Sequence, residues 1–236
     1  MRTMVVRLPR RWGRMLLGFL LLLLLGGGGF IFYSQRLFLD FETPEKVIEQ
    51  ALGATADTAS FRYHFFSTLK VGEKEQPWSD IAGEKSGGHD VHVKGVMVNT
   101  PVEMYQIGNV SYHCDPFTRH WYKVEGYDLT QQRVLMAEVD PLSNLNFKQI
   151  GDARYEGREK ISGRDCWVLY CRPDLENQLL EALWKDFECR LWIDRRDRLV
   201  RKAVLTAQNK NAPQTRITIN IEFSDFNASI KLVPPV

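Results

Sequence analysis

An uncharged run from Met15 to Gln35, MLLGFLLLLLLGGGGFIFYSQ, constrains this chain more than any other feature. At ~1.5 Å per residue it makes a helix of ~31 Å, the thickness of a bilayer's hydrocarbon core, and so predicts one membrane span. Arg2, Arg7, Arg10, Arg11 and Arg14 precede the run and no acid comes before Asp40. Basic flanks stay on the cytoplasmic side, which predicts a single-pass plasma-membrane protein with a cytoplasmic N-terminus and an extracytoplasmic C-terminal domain. Leu16 to Leu25 followed by Gly26 to Gly29 also fits a cleaved signal peptide. Both readings export the chain. Phe30, Ile31, Phe32 and Tyr33 restart the apolar run with aromatics at belt position, which favours an uncleaved anchor. The expected division is a basic tail 1–14, an anchor 15–35, a linker 36–42 and one domain 43–236.

From residue 37 onward the chain holds all 29 acidic residues and 25 of the 31 basic ones, a net charge of −4. That argues against nucleic acid, which needs clustered positive charge. A hydrophobic content of 44% with 11% aromatics is too rich for disorder. The linker is short, so the domain stays near the membrane surface.

Thr43-Pro44-Glu45-Lys46 reads as a helix start, with Val47, Ala51 and Leu52 at helical spacing and an end by Asp57 or Thr58. From Phe61 the period becomes two, with Phe61, Tyr63 and Phe65 on one face. Short strands follow at Ile81 to Lys85, Val91 to Val98, Val102 to Ile107, Val110 to Cys114 and His120 to Val124. The turns between them include Asn99-Thr100-Pro101 and Gly108-Asn109. Asp128 to Val139 returns to helical spacing. Strands resume at Ile150 to Lys160 and Arg164 to Arg172. Pro173-Asp174 then opens an expected helix, Leu175 to Lys185, with Leu175, Leu179, Leu180, Leu183 and Trp184 as its apolar stripe. Cys189 to Asp194, Leu199 to Ala207 and Thr215 to Phe226 complete an antiparallel sheet of roughly ten strands, a size that tends to curl. In the last strand Ile217, Ile219, Ile221 and Phe223 alternate with polar residues, the pattern of a sheet dry on one face.

The runs TPEKVIEQALGATADTASFRYHFF, EVDPLSNLNF, LWIDRRDRLVRKAVLTA and INIEFSDFNASIKLVPP together resemble the LolA and LppX group of envelope lipid-handling proteins, from Thr43 to Pro235. The resemblance implies an α+β fold: a strongly curved antiparallel half-barrel partly plugged by helices, whose gap holds acyl chains or other apolar ligands. The N-terminal transmembrane helix expected here departs from that group's soluble carriers and lipoproteins. An apolar sheet face under striped helices is either a filled core or a cavity. If it is a cavity, its lining candidates are Phe61, Tyr63, Phe65, Val93, Leu179, Leu183, Leu191, Ile193, Ile219 and Ile221.

Candidates for chemistry are few. His89 and His92 are an odd number apart near one strand, which sends them to opposite faces; His113 and Cys114 fail likewise, and no metal site is expected. There is no nucleophile elbow, phosphate loop or paired-histidine zinc motif, so no catalytic residue, enzyme activity or cofactor is expected. Asp194 to Asp197 reads as a solvated turn. Cys166 and Cys171 lie on opposite faces of one strand and ~16 Å apart, beyond the ~7 Å limit for a bridge. Cys171 with Cys189 is the first pair to test; Cys114 is the fourth cysteine, and four buried thiols are the other reading. The functional expectation is a membrane-anchored, non-catalytic binder of lipid or another apolar small molecule. The alternative is an envelope-sensing or scaffolding ectodomain that regulates a membrane protein partner.

Overall fold

Two-residue alternation resolves into eleven strands of one antiparallel sheet, seen in a computed structural model that describes residues 42–87, 90–126 and 136–235, without the Leu179 side chain. The expected anchor 15–35 and most of the expected 128–139 helix lie outside the described residues. Among the described residues no helix is long and apolar enough to cross a membrane. Pro44–Val236 is one compact unit.

Helix α1, Pro44–Ala56, starts on a proline at its first position with Glu45 in the first turn, and buries Val47, Ile48, Ala51 and Thr55 along one stripe. The strands are β1 Ser60–Val71, β2 Lys74–Ser86, β3 Asp90–Met97, β4 Thr100–Ile107, β5 Val110–Cys114 and β6 Trp121–Glu125. After a short helix α2, Met136–Val139, and a 3-10 turn, Pro141–Leu145, come β7 Phe147–Ile161, β8 Arg164–Leu175, helix α3 Gln178–Leu183, β9 Trp184–Asp194, β10 Val200–Asn209 and β11 Thr215–Ser224. Their order across the sheet is β6-β5-β4-β3-β2-β1-β11-β10-β9-β8-β7. Two meanders are therefore joined in the middle by β1 and β11, from Arg62 opposite Ser224 to Val71 opposite Thr215. The sheet is open and curled, as a half-barrel requires, with β6 and β7 as its outermost strands among the described residues. β6 is short, and β7 carries Lys148, Arg154, Arg158 and Lys160 and three register shifts, features that discourage edge pairing.

The turns after β1, β3, β5, β8 and β10 share one end of the sheet, here the upper end; those after β4, β7 and β9 share the lower end. The lower end is packed with aromatic rings, beside an open cleft of about 720 Å³ bordered by Ile161, Arg201, Phe223 and Phe226. Phe61, Phe223 and Phe226 pack there with ring centroids 5.5–6.2 Å apart. The segment after β11 is tied down beside them: the Asn227 backbone N–H donates to Ser60 O at 2.8 Å, and the Ser86 hydroxyl donates to Ile230 O at 2.8 Å. The Val200 N–H donates to the buried Thr55 hydroxyl at 2.9 Å, fixing the end of α1 to the start of β10.

Several sequence expectations are corrected. The helix expected over Leu175 to Lys185 is only Gln178–Leu183; Leu175 ends β8 and Trp184 begins β9. Pro173 sits where β8 pairs with β7 alone, past the last β9 partner Cys171, so its missing N–H breaks no ladder on that side. Asn177 is the true cap, its side chain accepting from the Leu180 N–H at 3.1 Å. β2 begins seven residues before Ile81, at Lys74, and the β3–β4 turn is Val98-Asn99, with Thr100 and Pro101 already in β4. Asp194 is buried, not solvated: it accepts from the Arg196 N–H at 2.9 Å and lies 3.1 Å from Arg201, holding the β9–β10 turn. Burial alone would raise its pKa, but those backbone donors and Arg201 outweigh it and hold the carboxyl below the usual range.

Candidate functional site: the concave face of the sheet

Alternation places Phe61, Tyr63, Phe65, Ser67, Leu69 and Val71 of β1 on the inner face, facing the same side as Phe223, Ile221, Ile219 and Ile217 of β11. Val93 of β3, Leu191 and Ile193 of β9 and Ala203 and Leu205 of β10 continue that face. Eight of the ten sequence-derived candidates, Phe61, Tyr63, Phe65, Val93, Leu191, Ile193, Ile219 and Ile221, are brought together there in one buried cluster. Leu183 stands outside it, 46% exposed, and the Leu179 side chain lies outside the described residues.

Burial changes along the strands. In β1 it runs from Phe65, 1% exposed, through half-buried Leu69 to Val71, 45% exposed. The same loosening toward the upper end appears from Ile219 to Ile217, from Val93 to Met97 and from Met104 to Val102. On β8, β9 and β10 the upper end stays buried, at Leu175, Trp184 and Ala207, so the loosening is confined to β1, β3, β4 and β11. At the upper end Leu69, Ile217 and Phe187 lean on the core while still meeting solvent. An open cleft of about 710 Å³ lies at that end, its walls mixing Leu175, Trp184 and Phe187 with charged Arg172, Lys185 and Lys210.

A polar cluster missed by sequence reasoning marks the boundary. The Tyr63 hydroxyl donates to the carbonyls of Glu138 and Val139 at 2.8 and 3.0 Å, and so ties α2 over the inner face. The Ser79 hydroxyl donates to the buried Glu138 carboxyl at 2.9 Å. Ser67, opposite Ser79, points a buried hydroxyl into the same face with no hydrogen-bond partner among the described residues. Burial raises the Glu138 pKa, opposed only in part by the Ser79 bond. Burial also pushes the Tyr63 phenol well up, helped by Asp140 and Glu138. Ser67 interrupting the apolar register Phe61, Tyr63, Phe65, Leu69 is the one sequence signal that could have found this cluster. Gly83 makes room for it: a Cβ there would lie 2.0 Å from Cζ of Tyr63.

Cys171 and Cys189 are direct cross-strand partners, both buried and both free thiols. The Cys171 thiol and then burial push the Cys189 thiol well up. Cys166 lies on the opposite face in a small second cluster with Val168 and Trp192. Among the described residues no group of three or more His, Cys, Asp or Glu side chains could hold a metal ion.

Neither a protein-family model nor a curated protein matches the sequence. Among solved structures the fold is similar to the Mycobacterium tuberculosis lipoprotein LppX, with a TM-score of 0.55 and 15% identity over 80% of this chain and 98% of that one. It is similar to LprF from Mycobacterium bovis, with a TM-score of 0.54 and 15% identity over 81% of this chain and 96% of that one. A LolA superfamily protein from Nitrosomonas europaea matches with a TM-score of 0.36 and 12% identity over 82% and 96%. The chain has the LolA/LppX-like fold that its sequence resembles.

Proposed function

We propose that the domain binds an acyl chain or a similar apolar ligand on the upper part of its concave face, and that the run 15–35 anchors it to the outer side of the plasma membrane. The observation that carries this reading is the gradient of burial. A face packed at one end by phenylalanines and tied-down backbone, and left half-buried at the other at Leu69, Ile217 and Phe187, offers apolar surface to a ligand at that second end. Each methylene removed from water there contributes ~0.8 kcal/mol, so a ten-carbon stretch gains ~8 kcal/mol before the costs of immobilisation. The LolA/LppX-like fold supports the same class of ligand, and no catalytic group is required.

The test uses the full chain purified in a mild detergent. Uptake of a fluorescent fatty acid is measured for the wild type and for Ile217→Asp, a half-buried position at the opening. Uptake by the wild type and its loss in a variant with an unchanged circular dichroism spectrum is the expected result. No uptake by a folded wild type, or equal uptake by Ile217→Asp, would overturn the reading.

A further inference from the structure

The large exposed apolar residues are unevenly placed. Val71, Trp78, Val96, Val98, Phe117 and Leu183, between 38% and 88% exposed, lie toward the upper end of the sheet, while Tyr155 within β7 and Val233 after β11 are exposed elsewhere. The lower turns show Gly108-Asn109, Ser162-Gly163 and Arg195 to Arg198 instead.

Three of the upper residues are held outward by local structure. The β1–β2 register passes from Ser67 opposite Ser79 to Thr68 opposite Pro77, so Trp78 is the extra residue of a bulge. Its carbonyl accepts from the Val98 N–H at 2.8 Å, which sets the tip of the β3–β4 turn beside it. Phe117, 88% exposed, sits on a loop braced by Asp115, whose carboxylate accepts from the Phe117 and Thr118 N–H groups at 3.0 and 2.6 Å. Val98 is unfavourable twice over. Its φ is +47°, a conformation in which a β-branched residue is strained and Asn or Gly is the usual occupant, and its side chain is 48% exposed.

We infer that these hairpin tips are a docking surface for a phospholipid bilayer, inserting Val98 and Phe117 at the headgroup boundary with Trp78 beside them. The inference rests on the proposed anchor. The eight residues 36–43 reach at most ~29 Å, so a domain on that tether cannot leave the surface. Separate convex tips also suit insertion into a fluid boundary rather than a groove for a peptide, and tryptophan favours that boundary. Lys94 and Arg119 both reach Glu103, at 3.3 and 3.4 Å, and with Asp115 the charges at these tips balance, so the docking rests on the apolar side chains. Docking this end would present the half-open part of the concave face to the lipid.

The test places the full chain in vesicles of phosphatidylcholine and phosphatidylglycerol carrying a diazirine on the acyl chain, and maps photo-adducts by peptide mass spectrometry. Adducts on the peptides of Val98 and Phe117, at least tenfold over those of Asn109 and Ser162, are expected. Val98→Asn with Phe117→Asn should lower tip labelling about tenfold, while Val98→Asn alone raises the denaturation midpoint because asparagine suits that φ. Tip peptides labelled no more than the lower turns, or unchanged labelling in the double variant, would overturn the docking surface. Adducts on Phe65 and Ile217 peptides without tip adducts would leave ligand binding standing and remove the docking surface; the reverse pattern would do the opposite.

Discussion

Replacing Gly83 by alanine in the middle of a strand would ordinarily stabilise a protein by ~0.5–1 kcal/mol, because glycine loses the most backbone entropy on folding. Here the sign should reverse. The added Cβ would stand 2.0 Å from Cζ and 2.4 Å from both Cε1 and the hydroxyl oxygen of Tyr63, where ordinary contact begins near 3.4 Å. Tyr63 is 4% exposed and cannot swing into water, so the ring must push its neighbours, at an overpacking cost of ~1–3 kcal/mol. Its hydroxyl would also lose the carbonyls of Glu138 and Val139, and buried polar groups left unpaired cost ~1–3 kcal/mol. Against the entropic gain, Gly83→Ala should destabilise by ~3 kcal/mol. Leucine at 63 has none of the three clashing atoms, so in a Tyr63→Leu background the same substitution should be neutral or mildly stabilising. Urea denaturation of the detergent-solubilised chain, followed by tryptophan fluorescence, gives the four free energies of that cycle. An equal cost of Gly83→Ala in both backgrounds, with coupling below ~0.5 kcal/mol, would refute the packing argument.

Two further predictions concern buried titratable groups. Burial raises the folded pKa of Glu138, so the folded state holds that proton more tightly than the unfolded chain. Stability should therefore fall as pH rises from the ordinary value of 4.5 through the folded pKa, then level off. Glu138→Gln, which keeps an acceptor for Ser79, should remove that slope and be the more stable form at neutral pH; denaturation midpoints that run parallel for the two chains across pH 4 to 8 would contradict this. Cys171 and Cys189 face each other across two strands, where paired Cα atoms are ~4.5–5.5 Å apart, within the range a disulfide spans. Equilibration with oxidised glutathione during refolding should close that bridge alone, each bridge consuming one glutathione disulfide and releasing two glutathione thiols. Mass mapping of unreduced peptides that finds Cys114 or Cys166 bridged instead would refute the assignment.

Much of the sheet was legible in the sequence because a half-wet strand writes a period of two. Phe61, Tyr63 and Phe65, and Ile217 to Phe223, carry it plainly, and both sets face the core. Gly108-Asn109 marked a hairpin that the structure has. The pairing of β1 with β11 was not legible. It joins segments some 150 residues apart, and nothing local in either strand names its partner. The third helix was misread for a physical reason: Leu175, Leu179, Leu180, Leu183 and Trp184 satisfy a helical stripe, while Cys171, Pro173 and Leu175 equally satisfy the buried face of a strand. Short apolar runs fit both periods, and pairing with β7 decided between them. Glu138 was passed over because an acid between apolar helical positions reads as solvated, and only tertiary packing against Ser79 and Tyr63 buries it.

The candidate site follows the same division. The inner-face residues were readable from alternation, but which part of that face stays open depends on what covers it. The phenylalanines and the segment after β11 pack the lower end through contacts that span up to 168 residues of sequence. Alternation places Phe61 and Val71 on one face and gives no means of ranking them, yet one is fully buried and the other 45% exposed. A ligand site of this kind is a gradient along strands rather than a set of residue types, and so is read from long-range pairing. Turn chemistry carries the complementary signal: Val98 and Phe117 occupy positions where polar residues would fold more cheaply. Apolar residues exposed on hairpin tips suit an apolar environment outside the domain, at the end where Leu69 and Ile217 meet solvent.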